Sequence, residues 1–497
     1  MVLANVSWGN VKDITQPFTI AYKLSFGDAE KCDKVGIELW GANVGKEFVR
    51  MANYSVLNGC TYDDSTKQFV VPYTLLTQEQ YVADCSLIFL GAFNNKNGNP
   101  CSWEVQDVEV LPESPDTLSS YWSNPEYVGI SVDSDGTMYL GESKVYMAGV
   151  NVYNLFTQCW SDGNASTKAK ETLDVLKENN IKVVRFNCGA YGYEWVKHVN
   201  DNATAMLQLM KEIAAYAEDL EIGLIPTLFW CYNDIPDYVD EPINRWGTSG
   251  SQTRNYMVFY TTAIVNALKG YQSIFGWEFG NEFNLSCDLG KYASENRPAL
   301  PAGSSRASRT SEDDLSLSHL NSAIAEFTTT INNIDVSQRL IGSGNAAPRA
   351  EQHSLYQSGT WNSWDTDAEY KEITNVMTPC NSISEHVYFT TRKYSGGTYS
   401  LTQYLQRALR VSKELGKAFY VGEWGWGSDS AQSDYESESY YTSMANNIVD
   451  NGVQLAILWN FNMVEGEVEY SFSADTTRGQ MLLSILASMN ASYESKY

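Results

Sequence analysis

The chain has 497 residues, 60 of them acidic and 34 basic, for a net charge of −26. So negative a surface repels phosphates, which argues against nucleic acid and anionic membranes as partners and favours a neutral or cationic one. No apolar run reaches the roughly 18 residues needed to span a bilayer, so no membrane insertion is expected.

Residues 1–117 read as all-β. The runs FTIAYKLSF, KVGIELW and WEVQDVEVL alternate in polarity, and turn-rich stretches such as NNKNGNP separate them. A β-sandwich domain is expected. Its Trp8, Trp40 and Trp103 allow two readings, a carbohydrate-binding face or ordinary core. Cys32, Cys60, Cys85 and Cys101 could pair there. Cys159, Cys188, Cys231, Cys287 and Cys380 are dispersed with no CxxC pair, so no metal site is expected. Sequons fall at Asn5, Asn53, Asn164, Asn202, Asn284 and Asn490. They fit an extracellular protein, although MVLANVSWGN does not read as a signal peptide. Residues 118–126, within PESPDTLSSYWSNPE, read as a linker.

From 127 to 497 the pattern changes. A hairpin turning at Asp135-Gly136 comes first. Eight apolar strand candidates follow, at 145–151, 182–187, 222–230, 274–282, 339–344, 382–388, 418–424 and 455–461. Amphipathic helix candidates alternate with them, among them STKAKETLDVLKENN, TAMLQLMKEIAAYAEDL and LTQYLQRALRVSKELG. Apolar strands separated by helices predict a parallel sheet, and eight units predict a (β/α)8 TIM barrel. An open doubly wound sheet is the alternative, weakened because no glycine-rich phosphate loop follows the first strand. Insertions at 231–252, 283–312 and 345–369 follow strands three, four and five, on the face where barrels build active sites. The acidic run SEDDLS (311–316) reads as a helix N-terminus.

Polar residues at the strand ends should converge. In order they are Asn151, Tyr153, Arg185, Asn187, Trp230, Asn281, Glu282, Asn345, His386, Tyr388, Glu423 and Trp459. Aromatics suit the apolar faces of sugar rings, and amides and carboxylates suit hydroxyls. Two carboxylates flanking an acetal are what glycoside hydrolysis needs.

GWEFGNEF and FYVGEWGW resemble the acid/base and nucleophile motifs of the clan A glycoside hydrolases, most closely family 5. The resemblance implies Asn281 and Glu282 as the acid/base pair ending strand four, and Glu423 as the nucleophile ending strand seven. It also implies substrate-binding roles for Arg185 in VVRFN, His386 and Tyr388 in EHVYF, and Trp459 in LWNF, over about residues 127–497. Many family 5 cellulases carry a histidine at the end of strand three. Here that strand ends TLFWCYND, so Trp230 stands there and the chain is more similar to the endo-β-mannanases. The expected function is therefore a retaining endo-β-1,4-glycanase of plant-type polysaccharide, leaning to β-mannan or glucomannan. The alternatives are a cellulase with the same residues, a transglycosylase, or a non-catalytic polysaccharide-binding protein. No cofactor is implied, the partner is a poly- or oligosaccharide, and a monomer is expected.

Two finer expectations follow. Retention needs the two carboxyls only about 5–5.5 Å apart, with Glu282 protonated and its pKa raised by the charge on Glu423. Within GWEFGNEFNL, strand alternation puts Glu278 and Glu282 on the axial side. Glu282 then lies at the rim. Glu278 lies deeper, where it needs a buried arginine or tyrosine partner.

Overall fold

The structure, a computed structural model, describes residues 117–189, 191–427 and 431–497, together with the backbone of eight strands within the first 112 residues. The chain divides into two compact units, Met1–Ser120 and Tyr121–Tyr497. In the first unit the strands pair antiparallel into two four-stranded sheets. One runs in the order Ala4–Val6, Cys85–Asn95, Cys32–Asn43, Val49–Tyr54. The other runs Thr61–Asp63, Gln68–Val71, Phe18–Phe26, Trp103–Pro112. The side chains of Trp8, Trp40 and Trp103 and of the four N-terminal cysteines lie outside the described residues.

In the second unit eight parallel strands form a closed ring. They are β1 (Met147–Asn151), β2 (Val183–Asn187), β3 (Gly223–Phe229), β4 (Gly276–Gly280), β5 (Leu340–Gly342 and Asn345–Ala346), β6 (Ser382–Val387), β7 (Ala418–Trp424) and β8 (Leu455–Leu458). Each pairs with the next, and β8 pairs back onto β1. β5 is broken in the middle: its first piece pairs with β4 and its second with β6. Every residue of these strands is buried, which is why they read as near-continuous apolar runs.

Helices cover the outside. Six of them start on a Ser or Thr whose side chain accepts a backbone N–H three residues on: Ser251, Ser316, Thr366, Ser400, Ser437 and Thr476. Each satisfies a donor that the first turn would otherwise leave unpaired. One of these caps falls where the sequence placed a helix N-terminus, and one where it suggested an insertion. SEDDLS holds the short helix Ser311–Asp313 and then Ser316, the cap of Leu317–Ile334. The helix Asp367–Met377 begins inside the stretch read as an insertion.

The stretch read as a linker is not a free tether. Thr117–Ser123 is helical. Tyr121 is fully buried and its hydroxyl donates to the Gln272 carbonyl at 2.6 Å. The Gln272 amide donates in turn to the carbonyls of Tyr121, Asn124 and Tyr127. Trp122 stacks on Phe275, the ring that opens the approach to β4. Pro, Ser and acidic content suggested a linker; the two aromatics in the same stretch supply a buried anchor instead.

Candidate active site

Polar side chains from the C-terminal strand ends converge on a cavity of about 860 Å³. Trp230, Asn281, Glu282, His386, Tyr388, Glu423 and Trp459 all line it. Arg185 lies beneath, fully buried. Asn151, Tyr153, Asn187 and Asn345 do not line the cavity, and Asn345 points furthest from the expectation. It is buried and donates to the Met377 carbonyl, away from the cavity.

Arg185 organises the floor. Its Nε donates to Glu278 at 2.5 Å, its Nη1 to Glu423 at 2.7 Å and to Asn151 Oδ1 at 2.9 Å, and its Nη2 to Asn281 Oδ1 at 3.0 Å. A guanidinium has the fixed fork of donors that such a set requires. Its pKa is raised: burial works against the charge, but Glu278 and Glu423 outweigh it.

Glu278 takes further hydrogen bonds from Thr227 Oγ1 (2.6 Å) and Tyr420 OH (2.7 Å). It thus has both kinds of partner expected of it, and it does not line the cavity. Burial would raise its pKa, yet Arg185, His386 and these hydroxyls hold it below the ordinary carboxylate range.

Glu282 reaches the cavity by a route that alternation does not describe. β4 ends at Gly280, and Glu282 adopts the left-handed conformation at φ 56°. Its N–H donates to the Gly344 carbonyl at 2.7 Å, in the break of β5. Gly344 is itself at φ 67°, and a Cβ there would stand 1.8 Å from the Gly280 carbonyl oxygen. Only glycine fits, so the break in β5 and the turn at Glu282 are one construction.

Glu423 receives Tyr388 OH at 2.6 Å, and His386 Nδ1 lies 3.0 Å from Glu282 and 3.4 Å from Glu423. Single donor atoms of Glu282, His386 and Glu423 all fall within 4.8 Å of one another. Two carboxylates and an imidazole so close are also a donor set that could hold a divalent transition metal.

The electrostatics reverse one expectation. Burial pushes Glu282 up, but the His386 hydrogen bond and charge, with Arg185 and Arg349, bring it below the usual carboxylate value. For Glu423, burial outweighs His386 and Arg185, and the charge on Glu282 adds to the rise. The difference lies in exposure and partners: the Glu282 side chain is 29% exposed and that of Glu423 only 5%.

Trp230 stacks on Trp459 with ring centroids 6.2 Å apart, and Arg185 lies over the Trp230 ring at 5.2 Å. Several wall residues went unread in the sequence. Phe389 precedes the hairpin Thr391–Ser400 and Arg392 lies within it, Trp426 and Tyr470 come from loops after β7 and β8, and Tyr440 comes from the first turn of the helix Glu438–Asp450. The one available signal was their aromatic density, as in WGWG.

A family profile described as "Cellulase (glycosyl hydrolase family 5)" matches residues 142–463, well over half of the chain. The chain belongs to glycosyl hydrolase family 5. This family 5 protein is a glycoside hydrolase. Among solved structures it is similar to the endo-1,4-beta-mannanase of Rhizomucor miehei at 15% identity and TM-score 0.52, covering 73% of this chain and 99% of that one. It is also similar to the family 5 mannosidase of the same organism at 10% identity and TM-score 0.50, covering 74% and 99%. At such identities the likeness shows the fold. No curated protein sequence matches the chain.

Proposed function

We propose that this hydrolase is a retaining endo-β-1,4-glycanase that acts by double displacement, with Glu423 as nucleophile and Glu282 as acid/base. The observation that carries the reading is that an oxygen of Glu282 and an oxygen of Glu423 lie within 4.8 Å of each other across the cavity. That spacing belongs with retention, since inversion needs about 6.5–9.5 Å to admit a water. Glu423 attacks the anomeric carbon while Glu282 gives its proton to the leaving oxygen. Glu282 then takes a proton from water, which displaces Glu423 and frees the sugar. Arg185 and Tyr388 hold the Glu423 oxygens in position. Trp459 and Trp230 face the reacting sugar, Asn281 binds the substrate, and His386 orients Glu282.

The resting pKa order is opposite to the one this mechanism uses, and substrate itself can correct it. A sugar covering the exposed part of Glu282 removes water from its charged form and raises its pKa. Glu423, already buried, changes less.

The substrate reading leans to β-mannan or glucomannan, supported by Trp230 at the end of β3. The family description keeps β-1,4-glucan as the second reading. The two N-terminal sheets are read as a stacked sandwich serving as a carbohydrate-binding module, and secretion is part of the same picture. Two of the sequons are buried, however: Asn284 and Asn490 are engaged with the backbones of Ala346 and Ala148.

A reducing-sugar assay on mannan, glucomannan, carboxymethylcellulose, barley glucan and xylan tests the proposal. Activity on mannan or glucan that falls by at least about 10²–10³ in Glu282→Ala and Glu423→Ala is expected. Activity on xylan alone, or activity unchanged in both variants, would reject it.

A further inference from the structure

We infer that Tyr191 and Trp195 form a distal sugar-binding platform, continuous with the catalytic cavity, that holds the chain on the far side of the reacting sugar from the leaving group. The inference rests on the functional reading above and deepens it.

Both residues are large and exposed, Tyr191 by 50% and Trp195 by 38%. They belong to the loop and helix that follow β2, in CGAYGYEW. An unbroken series of rings joins them to the cavity. Trp459 lies 6.4 Å from Tyr153, and Trp230 lies 4.8 Å from it. Tyr153 meets Tyr191 edge-on at 5.9 Å, and Tyr191 meets Trp195 at 6.3 Å. Trp160 props Trp195 from behind at 5.1 Å.

Direction follows from the barrel. Glu282 follows β4, and in the proposed mechanism the leaving group departs on its side of the cavity. The aromatic series runs the other way, over β1 and β2. A substrate filling it must extend beyond the reacting sugar on its non-reducing side, which an enzyme that removes single sugars from the non-reducing end cannot accommodate. Mutual packing accounts for the ring contacts, but it leaves Tyr191 and Trp195 exposed beside the cavity. Neutral β-linked sugars suit those faces because their C–H surfaces are apolar and carry no charge for the protein to repel.

The test compares the full-length protein with Tyr191→Ala, Trp195→Ala and Trp195→Phe. The substrates are a β-1,4-linked hexasaccharide and a short aryl disaccharide of the sugar the wild type prefers. Trp195→Ala should lower kcat/KM for the hexasaccharide about tenfold, through KM, because an aromatic face is lost. The disaccharide value should stay within about twofold, and Trp195→Phe should recover most of the loss. Equal losses on both substrates, or no loss on the hexasaccharide, would overturn the platform while leaving the catalytic assignment standing. Wild-type protein inactive on every β-glycan would overturn the functional reading and the platform with it. Tryptophan fluorescence of Glu423→Gln titrated with the hexasaccharide gives a readout apart from turnover. In the Glu423→Gln, Trp195→Ala double variant the titration should shift to about tenfold higher hexasaccharide concentration, and an unshifted titration there counts against the platform.

Discussion

Arg185 and Glu278 form an ion pair with no solvent exposure on either side chain, and the same guanidinium holds Glu423 from the other edge. The barrel core and the candidate nucleophile are therefore tied to one cation.

Breaking that pair from below should cost both stability and activity. Glu278→Gln keeps the shape but leaves a buried guanidinium with one carboxylate fewer, a change of about 3–5 kcal/mol for buried pairs. Chemical denaturation should show a loss of that order, with a fall in kcat as Arg185 shifts. The pH dependence has a definite sign. Glu278 is held below its unfolded value, so its contribution is present above the unfolded carboxylate pKa and lost as pH falls through the folded one. The Gln variant should lack that acid-sensitive part of the stability.

The pH profile of kcat/KM should carry the signature of the free site. Glu423 must be ionised to attack and Glu282 protonated to donate, yet Glu423 is raised and Glu282 lowered, so the active form is a minor species of the free site. The acid limb then follows the lower pKa, nearer Glu282, and the basic limb the higher, nearer Glu423. His386 lowers both carboxylates, so His386→Gln should move both limbs to higher pH. Limbs that do not move would remove His386 as the cause. Because the two carboxylates interact, the limbs report the pair.

Gly344→Ala should be far more damaging than a methyl group suggests. A left-handed alanine costs about 1–2 kcal/mol, and the new Cβ collides with the Gly280 carbonyl. Relief requires the end of β4 to move, taking Glu282 with it. Activity should fall at least about tenfold even where circular dichroism shows a folded barrel.

Zn²⁺ or Cu²⁺ added to the active protein should inhibit it competitively with substrate, by bridging Glu282, His386 and Glu423. Chelator should restore activity, and His386→Gln should be markedly less sensitive. Inhibition equal in both proteins would place the metal elsewhere.

The barrel was legible because its strands are buried on both faces, so each appears as an apolar run within a residue or two of its true bounds. LAILWNF shows where this stops: the strand ends at Leu458, and the remaining apolar residues are loop and wall. Helices with weak periodicity were harder. Asp367–Met377 buries Tyr370, Ile373, Thr374 and Met377, too few to stand out from an insertion. The two facing glutamates could be placed from strand ends alone. Their pKa order could not, because it depends on how much water reaches each carboxylate and on the position of His386. The outer walls near Phe389, Trp426 and Tyr470 depend on loop paths, which no local pattern encodes.

The anchor at Tyr121 has a practical bearing on dissecting the chain. A fragment starting at residue 127, where the repeating pattern begins, would strip Gln272 of two carbonyl acceptors, those of Tyr121 and Asn124, and uncover Phe275. One starting just before Thr117 would retain them all. Limited proteolysis that separates the two halves of the chain should accordingly leave Tyr121 and Trp122 with the larger fragment.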